Sequence, residues 1–221
     1  MLIAGAWANS RLEHIGFHQY CINSQQFKIF IVRLGTDGVC SSFSYANNAG
    51  GDVASYASQS VSDIIFDEND DGFYLTGRFS GAITVGTGTS GVTKHTDDSR
   101  CGGSNTCFDN IFYLTKGNTG NNFEWLSVDQ SATIRSSSVG VKIDIASSGN
   151  PILVGHVDNA HAFKDQPTSG NSTGITTATY GGQDVFLAEF LANTGDFNWA
   201  ISVGSNGSDE VDDIFIDNNE L

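Results

Sequence analysis

The sequence predicts an all-β fold made of short antiparallel strands, and three observations support this prediction. Glycine is abundant, at 26 of 221 residues, proline is scarce, at 2, and Ser, Thr and Asn crowd the gaps between apolar runs. This composition is typical of short strands joined by polar turns. The apolar runs have the length of strands, and none extends to a helix. Related runs recur along the chain, which predicts a repeated structural unit.

Each repeat contains four apolar segments, which are called here the first to fourth strands of a copy. Second strands share a glycine, at Gly5, Gly77 and Gly155: LIAGAW (2–7), FYLTGRF (73–79) and PILVGHV (151–157). First strands end on an aspartate: DIIFD (63–67), VKID (141–144) and DIFID (213–217). Third strands run into a turn that ends on a glycine: IFIVRLGTDG (29–38), IFYLTKGNTG (111–120) and VFLAEFLANTG (185–195). Fourth strands carry an aromatic residue: Phe43, Trp125 and Trp199.

The third strands are apolar at consecutive positions, as in IFIV and VFLA. Their sheets are therefore expected to be covered on both faces. In a β-propeller each sheet, or blade, lies between two neighbouring blades, which supplies that cover. We predict a β-propeller of four-stranded antiparallel blades over residues 1–221, as a single domain or as a propeller segment. Its copies span about 1–60 (partial), 61–138, 139–210 and 211–221 (partial).

The partial copies at the two ends complement each other. Residues 2–7 are a second strand without a first strand, and residues 213–217 are a first strand without a second. Together they predict one composite blade and three blades in the chain, whereas a ring needs about four to eight. Two alternatives stay open: a homodimer or larger assembly completed by end-strand exchange, and a segment of a longer propeller. In both, four apolar residues are expected to be buried between blades: Leu2, Ile3, Ile214 and Ile216.

Three stretches resemble the bacterial SBBP-type β-propeller repeat: DENDDGFYLTGRFSG (67–81), TTATYGGQDVFLAEFLANTGDFNWAISVG (176–204) and SDEVDDIFID (208–217). That repeat reads roughly as I-A-V-D, a glycine turn and V-Y-V-T-G, followed by D-x-F-V-A-K-L, a glycine and a strand with a tryptophan. The chain departs from it at Phe73, where the repeat usually has an asparagine. The resemblance implies a propeller architecture and says almost nothing about activity.

The net charge of −15, from 25 acidic and 10 basic residues, limits the classes of partner. Such a field repels phosphate backbones, so nucleic-acid binding is not expected. No segment approaches the roughly 18 apolar residues that a bilayer crossing requires. An acidic surface of this kind is typical of a soluble exported protein, and we predict an extracellular or cell-surface location. The opening MLIAGAW has no basic residue before Arg11, so it is not interpreted as a signal peptide.

The four cysteines predict at least one disulfide. Cys101 and Cys107 bracket the polar loop GGSNT, which a disulfide closes easily, and such a bond implies an oxidising compartment. Cys21 and Cys40 flank a predicted strand at opposite ends, and their pairing is left open. The cysteines do not form the paired C-x-x-C hooks of a zinc site.

The connections between second and third strands are unusually long: 8–26, 80–107 and 158–183. Because they join equivalent strands, they are expected on one face of the propeller, where repeat proteins often bind partners. Aromatic and histidine side chains in or beside them predict a ligand-binding surface for a protein or a glycan: Trp7, His14, His18, Tyr20, His161 and Phe163.

The segment 67–72 matches the first half of a calcium loop, D-x-[DN]-x-[DN]-G, with Asp67, Asn69 and Asp71 as oxygen ligands. Its twelfth position, which should be a bidentate glutamate, is Arg78. A plain hairpin turn is therefore favoured, and calcium at these three residues is the alternative. We expect no cofactor, with calcium at this turn as the alternative.

Motifs of nucleophilic, nucleotide-binding or dinucleotide-binding enzymes are absent from the sequence. We therefore expect a non-catalytic structural, adhesive or protein-interaction module, with no catalytic residues. A carbohydrate-binding, lectin-like propeller is the first alternative. A polysaccharide lyase or hydrolase is the second alternative, because acidic pairs such as Asp209–Glu210 and Asp212–Asp213 could supply carboxylates.

Overall fold

A computed structural model describes residues 2–7, 28–37, 40–47, 59–79, 82–85, 92–95, 111–118, 123–128, 137–158, 162–163, 175–176 and 180–217. All the regular structure of these ranges is β-strand. The strands are β1 (Leu2–Trp7), β2 (Lys28–Leu34), β3 (Cys40–Asn47), β4 (Gln59–Asp67), β5 (Gly72–Phe79), β6 (Ala82–Val85), β7 (Val92–His95), β8 (Ile111–Asn118), β9 (Phe123–Val128), β10 (Ser138–Ile145), β11 (Pro151–Asp158), β12 (Ala162–Phe163), β13 (Ile175–Thr176), β14 (Gln183–Phe190) and β15 (Phe197–Val203). Within these ranges there is no helix with the length and hydropathy of a membrane crossing.

The strands form three main antiparallel sheets that follow the sequence repeat. The first sheet has the order β1-β2-β3-β6-β7, the middle sheet β4-β5-β8-β9 and the third sheet β10-β11-β14-β15. Strands β12 and β13 form a separate two-stranded sheet among the described residues. The predicted all-β fold is confirmed for the described residues, and the middle and third sheets are the predicted four-stranded antiparallel units.

The middle sheet is buried on both faces because its strands are apolar at successive positions. On β5, Phe73 and Leu75 belong to a core shared with Ile31 of the first sheet. Tyr74, between them, belongs to a second core shared with Leu153 of the third sheet. The first and third sheets therefore pack on opposite faces of the middle sheet. The predicted cover on both faces is confirmed for this sheet.

The repeated glycine of the second strand has the same structural role in the middle and third sheets. A Cβ added at Gly77 would lie 1.9 Å from the carbonyl oxygen of Ser60, and one at Gly155 would lie 2.0 Å from that of Val139. In both places the facing first strand has a β-bulge immediately beyond the glycine. The glycine is needed because the bulged backbone approaches too closely for any side chain.

Part of the connection 80–107 packs as additional sheet. Strands β6 and β7 come from this connection, and β6 pairs with β3 through Ala46–Val85 and Asn47–Thr84. The side chains of Ile83 and Val85 are fully buried in the core between the first and middle sheets. This connection of the second copy therefore widens the sheet of the copy before it.

The prediction that residues 213–217 form a strand is wrong, because the structure has no strand within 204–217. Ile214 and Ile216 are only partly buried, and the Ile216 N–H donates to Asp144 Oδ2 of the third sheet at 2.7 Å. The predicted strand 2–7 is confirmed as β1, and within the described residues it pairs with β2 only. The two ends do not form a composite blade because the middle sheet separates the first sheet from the third. The side chains of Leu2 and Ile3 lie outside the described part.

Candidate functional site

The acidic turn between β4 and β5 is closed by its own side chains. Asp67 is buried, and its Oδ1 accepts hydrogen bonds from the Asn69 backbone N–H at 3.0 Å and from Asn69 Nδ2 at 3.2 Å. Asp71 has φ 56°, in the left-handed region that ends such a turn. Two of the three predicted calcium ligands are thus bonded to each other, as in an Asx turn.

A lysine supplies the positive charge at this turn. The ammonium of Lys116 on β8 forms ion pairs with Asp70 and, at 3.6 Å, with Glu124. Burial alone would lower the pKa of Lys116, but its hydrogen bond to Asp70 and the charges of Asp70, Glu124 and Asp67 raise it. The ammonium therefore stays charged and neutralises the acids around it.

Calcium at Asp67, Asn69 and Asp71 stays the alternative to a plain hairpin turn. The Lys116 ammonium already pairs with Asp70 of this turn, so a cation would have to compete with it for the acidic side chains. Among the described residues, no group of three or more His, Cys, Asp or Glu side chains is arranged to hold a metal. If calcium binds, millimolar calcium raises the melting temperature of the wild-type protein more than that of Asp71→Ala. Equal shifts in the two proteins would contradict the calcium site.

The third sheet has a matching polar cluster with the opposite charge. Register places Glu189 on β14 where Lys116 lies on β8, because each is paired with the tryptophan of the next strand. Glu189 is buried, and its carboxylate accepts hydrogen bonds from Asn150 Nδ2 at 3.3 Å and from Asn198 Nδ2. The sequence analysis did not single out Lys116 or Glu189, because each is a lone charge in an apolar run and the run itself does not show that a turn residue packs on it.

Trp125 joins the middle sheet to the third sheet. Its indole N–H donates to the Ala192 carbonyl in the β14–β15 turn at 2.9 Å, and its ring is 6% exposed in relative area. The Ser127 hydroxyl donates to the Gly195 carbonyl of the same turn. Gly195 has φ 73°, and a Cβ there would meet the indole ring at 2.5 Å. This glycine lets the indole approach the turn backbone more closely than any side chain would allow.

A buried carboxylate orders the entry to β14. Asp184 is fully buried, and its Oδ2 accepts a hydrogen bond from the Tyr180 N–H at 2.8 Å. Its Oδ1 has no hydrogen-bond partner among the described residues. A Cβ at Gly204 would lie 1.9 Å from that oxygen, so the chain leaving β15 covers the carboxylate with backbone alone.

The side chains of the predicted ligand-binding residues lie outside the described part of the chain. Trp7 lies in β1 and Phe163 in β12, and their side chains are outside the described residues. The other predicted positions also lie outside the described residues: His14, His18, Tyr20, His161, Cys101 and Cys107. The binding surface and the disulfide therefore stay predictions.

An apolar surface is exposed on the third sheet, on the face turned away from the middle sheet. Ile201 and Val203 on β15 are 51% and 56% exposed, and Phe215 in the following segment is 86% exposed. Trp199, also on β15, is half-buried. Exposed apolar side chains that are neighbours on one strand, as Ile201 and Val203 are on β15, mark a contact surface.

Comparison of the chain with models of known protein families gives no match, and a search of curated proteins finds no relative. The resemblance to the SBBP-type repeat stays a prediction.

Proposed function

We propose that the chain is a non-catalytic β-propeller module that serves, at the cell surface or outside the cell, as a structural, adhesive or protein-interaction element. The observation that carries the proposal is the recurrence of one sheet type in stacked neighbouring positions, with the same bulge and the same glycine at Gly77 and Gly155. Stacked repeats form a rigid scaffold whose exposed surfaces are free to bind other molecules.

The use of the buried charges supports a structural role. Lys116 is held by Asp70 and Glu124, and Glu189 is held by two asparagine side chains. A catalytic acid or base must come within hydrogen-bond reach of a substrate. These two groups are 5% and 8% exposed and are committed to contacts that close the turns of their own sheets.

The charge of the chain supports a partner that is not a nucleic acid. With 25 acidic and 10 basic residues, the surface favours neutral or cationic molecules over polyanions. A protein on the long-connection face is the partner class that we propose, and a glycan on that face is the partner of the lectin-like alternative.

The function is tested with the full chain and the variants Trp7→Ala and Phe163→Ala. A panel of soluble polysaccharides is incubated with each protein and assayed for new reducing ends and for unsaturated sugars, and a glycan array measures binding. We expect no product and no glycan signal that depends on either aromatic residue. Product release would contradict the non-catalytic proposal. Glycan binding that is lost in Trp7→Ala or Phe163→Ala would favour the lectin-like alternative instead.

A further inference from the structure

The outer face is the face of the third sheet that is turned away from the middle sheet. It includes Val154, His156, Leu187, Trp199, Ile201 and Val203. These positions alternate along their strands with Leu153, Phe186, Ala188 and Ala200, which pack toward the middle sheet. By the two-residue period of a strand, the outer-face residues point the other way.

The outer face is equivalent, position by position, to a face that is buried elsewhere in the same molecule. Register aligns Trp199 with Trp125, Leu187 with Leu114 and Ile201 with Ser127. In the middle sheet those three residues are buried, at 6%, 0% and 1% exposure, and Leu114 and Trp125 pack in the core shared with the third sheet. In the third sheet Ile201 and Val203 are more than half exposed. The outer face therefore carries side chains of the kind that form a contact between two sheets. In the described structure no other main sheet packs on this face.

The segment 204–217 crosses the outer face and is held there through its backbone. The Asp209 N–H donates to the Gln183 carbonyl at 2.7 Å, and the Val211 N–H donates to His156 Nε2 at 2.8 Å. Farther along, the Ile216 N–H donates to Asp144 Oδ2 on β10 at 2.7 Å. The segment therefore runs alongside β10 and in the same direction, because His156 pairs with Val139, which precedes Asp144 on β10.

Strand β10 is anchored to the middle sheet by the same kind of bond. The Ile143 N–H of β10 donates to Asp63 Oδ2 of β4 at 3.0 Å, just as the Ile216 N–H donates to an aspartate of β10. Each anchor joins a backbone N–H to a carboxylate on the first strand of the preceding sheet. Residues 213–217 thus lie along the first strand of the third sheet as β10 lies along the first strand of the middle sheet, with the anchoring aspartate two residues farther along in the third sheet. Phe215 projects into solvent between the partly buried Ile214 and Ile216.

We propose that the outer face, together with residues 213–217, binds the first sheet of a second copy of this chain. The inference rests on the proposed function in treating the three sheets as equivalent repeats. In the middle and third sheets a first strand pairs with the second strand, β4 with β5 and β10 with β11. The second strand of the first sheet is β1, and within the described residues no strand pairs with the corresponding edge of β1. Residues 213–217 of one copy pair there with β1 of the other copy.

The number of sheets favours a closed dimer. The described residues of one chain form three main sheets, so the described residues of two chains supply six, within the range of about four to eight that a closed ring uses. The third sheet of each copy contacts the first sheet of the other, and this head-to-tail contact closes on itself through a twofold axis. The expected particle has twice the 23.5 kDa mass of the chain and does not grow further.

The test is the mass of the full chain in solution as a function of concentration, measured by analytical ultracentrifugation and light scattering. The key variant combines Ile201→Lys and Val203→Lys, and the control is Phe66→Lys, an apolar residue of the middle sheet that is 38% exposed. Each copy carries a net charge of −15, so added lysines weaken the overall repulsion between copies. Loss of the dimer in the double variant then has a local cause, the desolvation of ammonium groups in the contact.

We expect a dimer for the wild type and for Phe66→Lys, and a dissociation constant at least about 100-fold weaker for the double variant. Circular dichroism and the melting profile of the isolated subunit check that the double variant is folded. If it does not fold, Phe215→Lys replaces it, because Phe215 is outside every strand and 86% exposed.

The proposal would be overturned if the wild type stays at the mass of one chain up to about 100 µM. That concentration is far above the micromolar range of weak specific complexes. A dimer that survives both the double variant and Phe215→Lys would also overturn it, because the contact would then lie elsewhere. Neither result changes the outcome of the polysaccharide and glycan assays. Failure of the dimer and failure of the proposed function are therefore distinguishable.

Discussion

The contact between the middle and third sheets predicts an energetic coupling between Phe112 and Phe186. Their rings are stacked, with centroids 5.2 Å apart and planes at 28°, and both side chains are fully buried. The perturbation is Phe112→Leu, Phe186→Leu and the two together. Leucine keeps the core apolar and removes the ring contact, so the three variants isolate the interaction between the rings.

The magnitude follows from burial and ring geometry. Each single substitution is expected to cost about 1–3 kcal/mol of unfolding free energy, the usual range for a buried site. The double variant should lose about 0.5–1.5 kcal/mol less than the sum of the singles, because an aromatic pair contributes that much beyond its buried area. Urea unfolding with linear extrapolation measures the four free energies.

Tyr113 provides the matched control, because it adjoins Phe112 in sequence but packs in the core on the opposite face of the middle sheet. A cycle of Tyr113→Leu with Phe186→Leu should be additive within about 0.5 kcal/mol. Additive Phe112 and Phe186 substitutions, or a stronger coupling of Phe186 to Tyr113, would refute the assignment of faces.

Three further predictions concern the backbone, alkaline stability and the disulfide. Gly77→Ala should lower the free energy of unfolding by about 3 kcal/mol, because the added Cβ would collide with the backbone carbonyl of Ser60. Gly149→Ala should lower it by about 1 kcal/mol, because Gly149 has φ 83° but open space around it. Thermal melts compare the two variants, and equal losses of stability would contradict the close approach at Gly77. Burial raises the pKa of Tyr113 well above its ordinary value of about 10. The folded state therefore keeps this proton while the unfolded chain loses it, so stability should fall as pH rises above about 10, and less steeply in Tyr113→Phe; identical slopes in alkaline melts would count against this. Peptide mapping without reductant should find Cys101 joined to Cys107, and free thiol at Cys101 would rule the bond out.

The polar clusters at the sheet turns illustrate a limit of sequence reasoning. Lys116 and Glu189 are single charges in apolar runs, and nothing local indicates that they are buried. Each is buried because a turn residue and a residue of the fourth strand converge on it from parts of the chain that lie apart in sequence. Such convergence depends on how the strands of a sheet are paired. The sequence of the β4–β5 turn therefore raises calcium as an alternative to a plain hairpin turn, because nothing in that segment indicates that Lys116 lies beside its acidic residues.

Alignment of the repeats illustrates the same limit within a single strand. The pattern of the third strands matches Phe112 with Phe186, because each follows an aliphatic residue in a similar run. Strand register instead matches Tyr113 with Phe186, since Gly77 pairs with Tyr113 and Gly155 pairs with Phe186. A shift of one residue turns a side chain to the other face of its sheet. Phe112 and Phe186 consequently point at each other across the contact between the sheets.

The sequence by itself determined the all-β class, the strands around the repeated glycines and the cover on both faces of the middle sheet. These are local properties, because composition, turn residues and runs of consecutive apolar residues act over a few positions. Only the tertiary structure decided which faces meet, where the segment 204–217 lies and that β6 and β7 widen the first sheet. The physical reason is that a strand specifies two faces but not their neighbours. The neighbour of each face depends on strand register and on contacts between residues far apart in sequence. The hydrogen bond between Ile216 and Asp144 is one such contact.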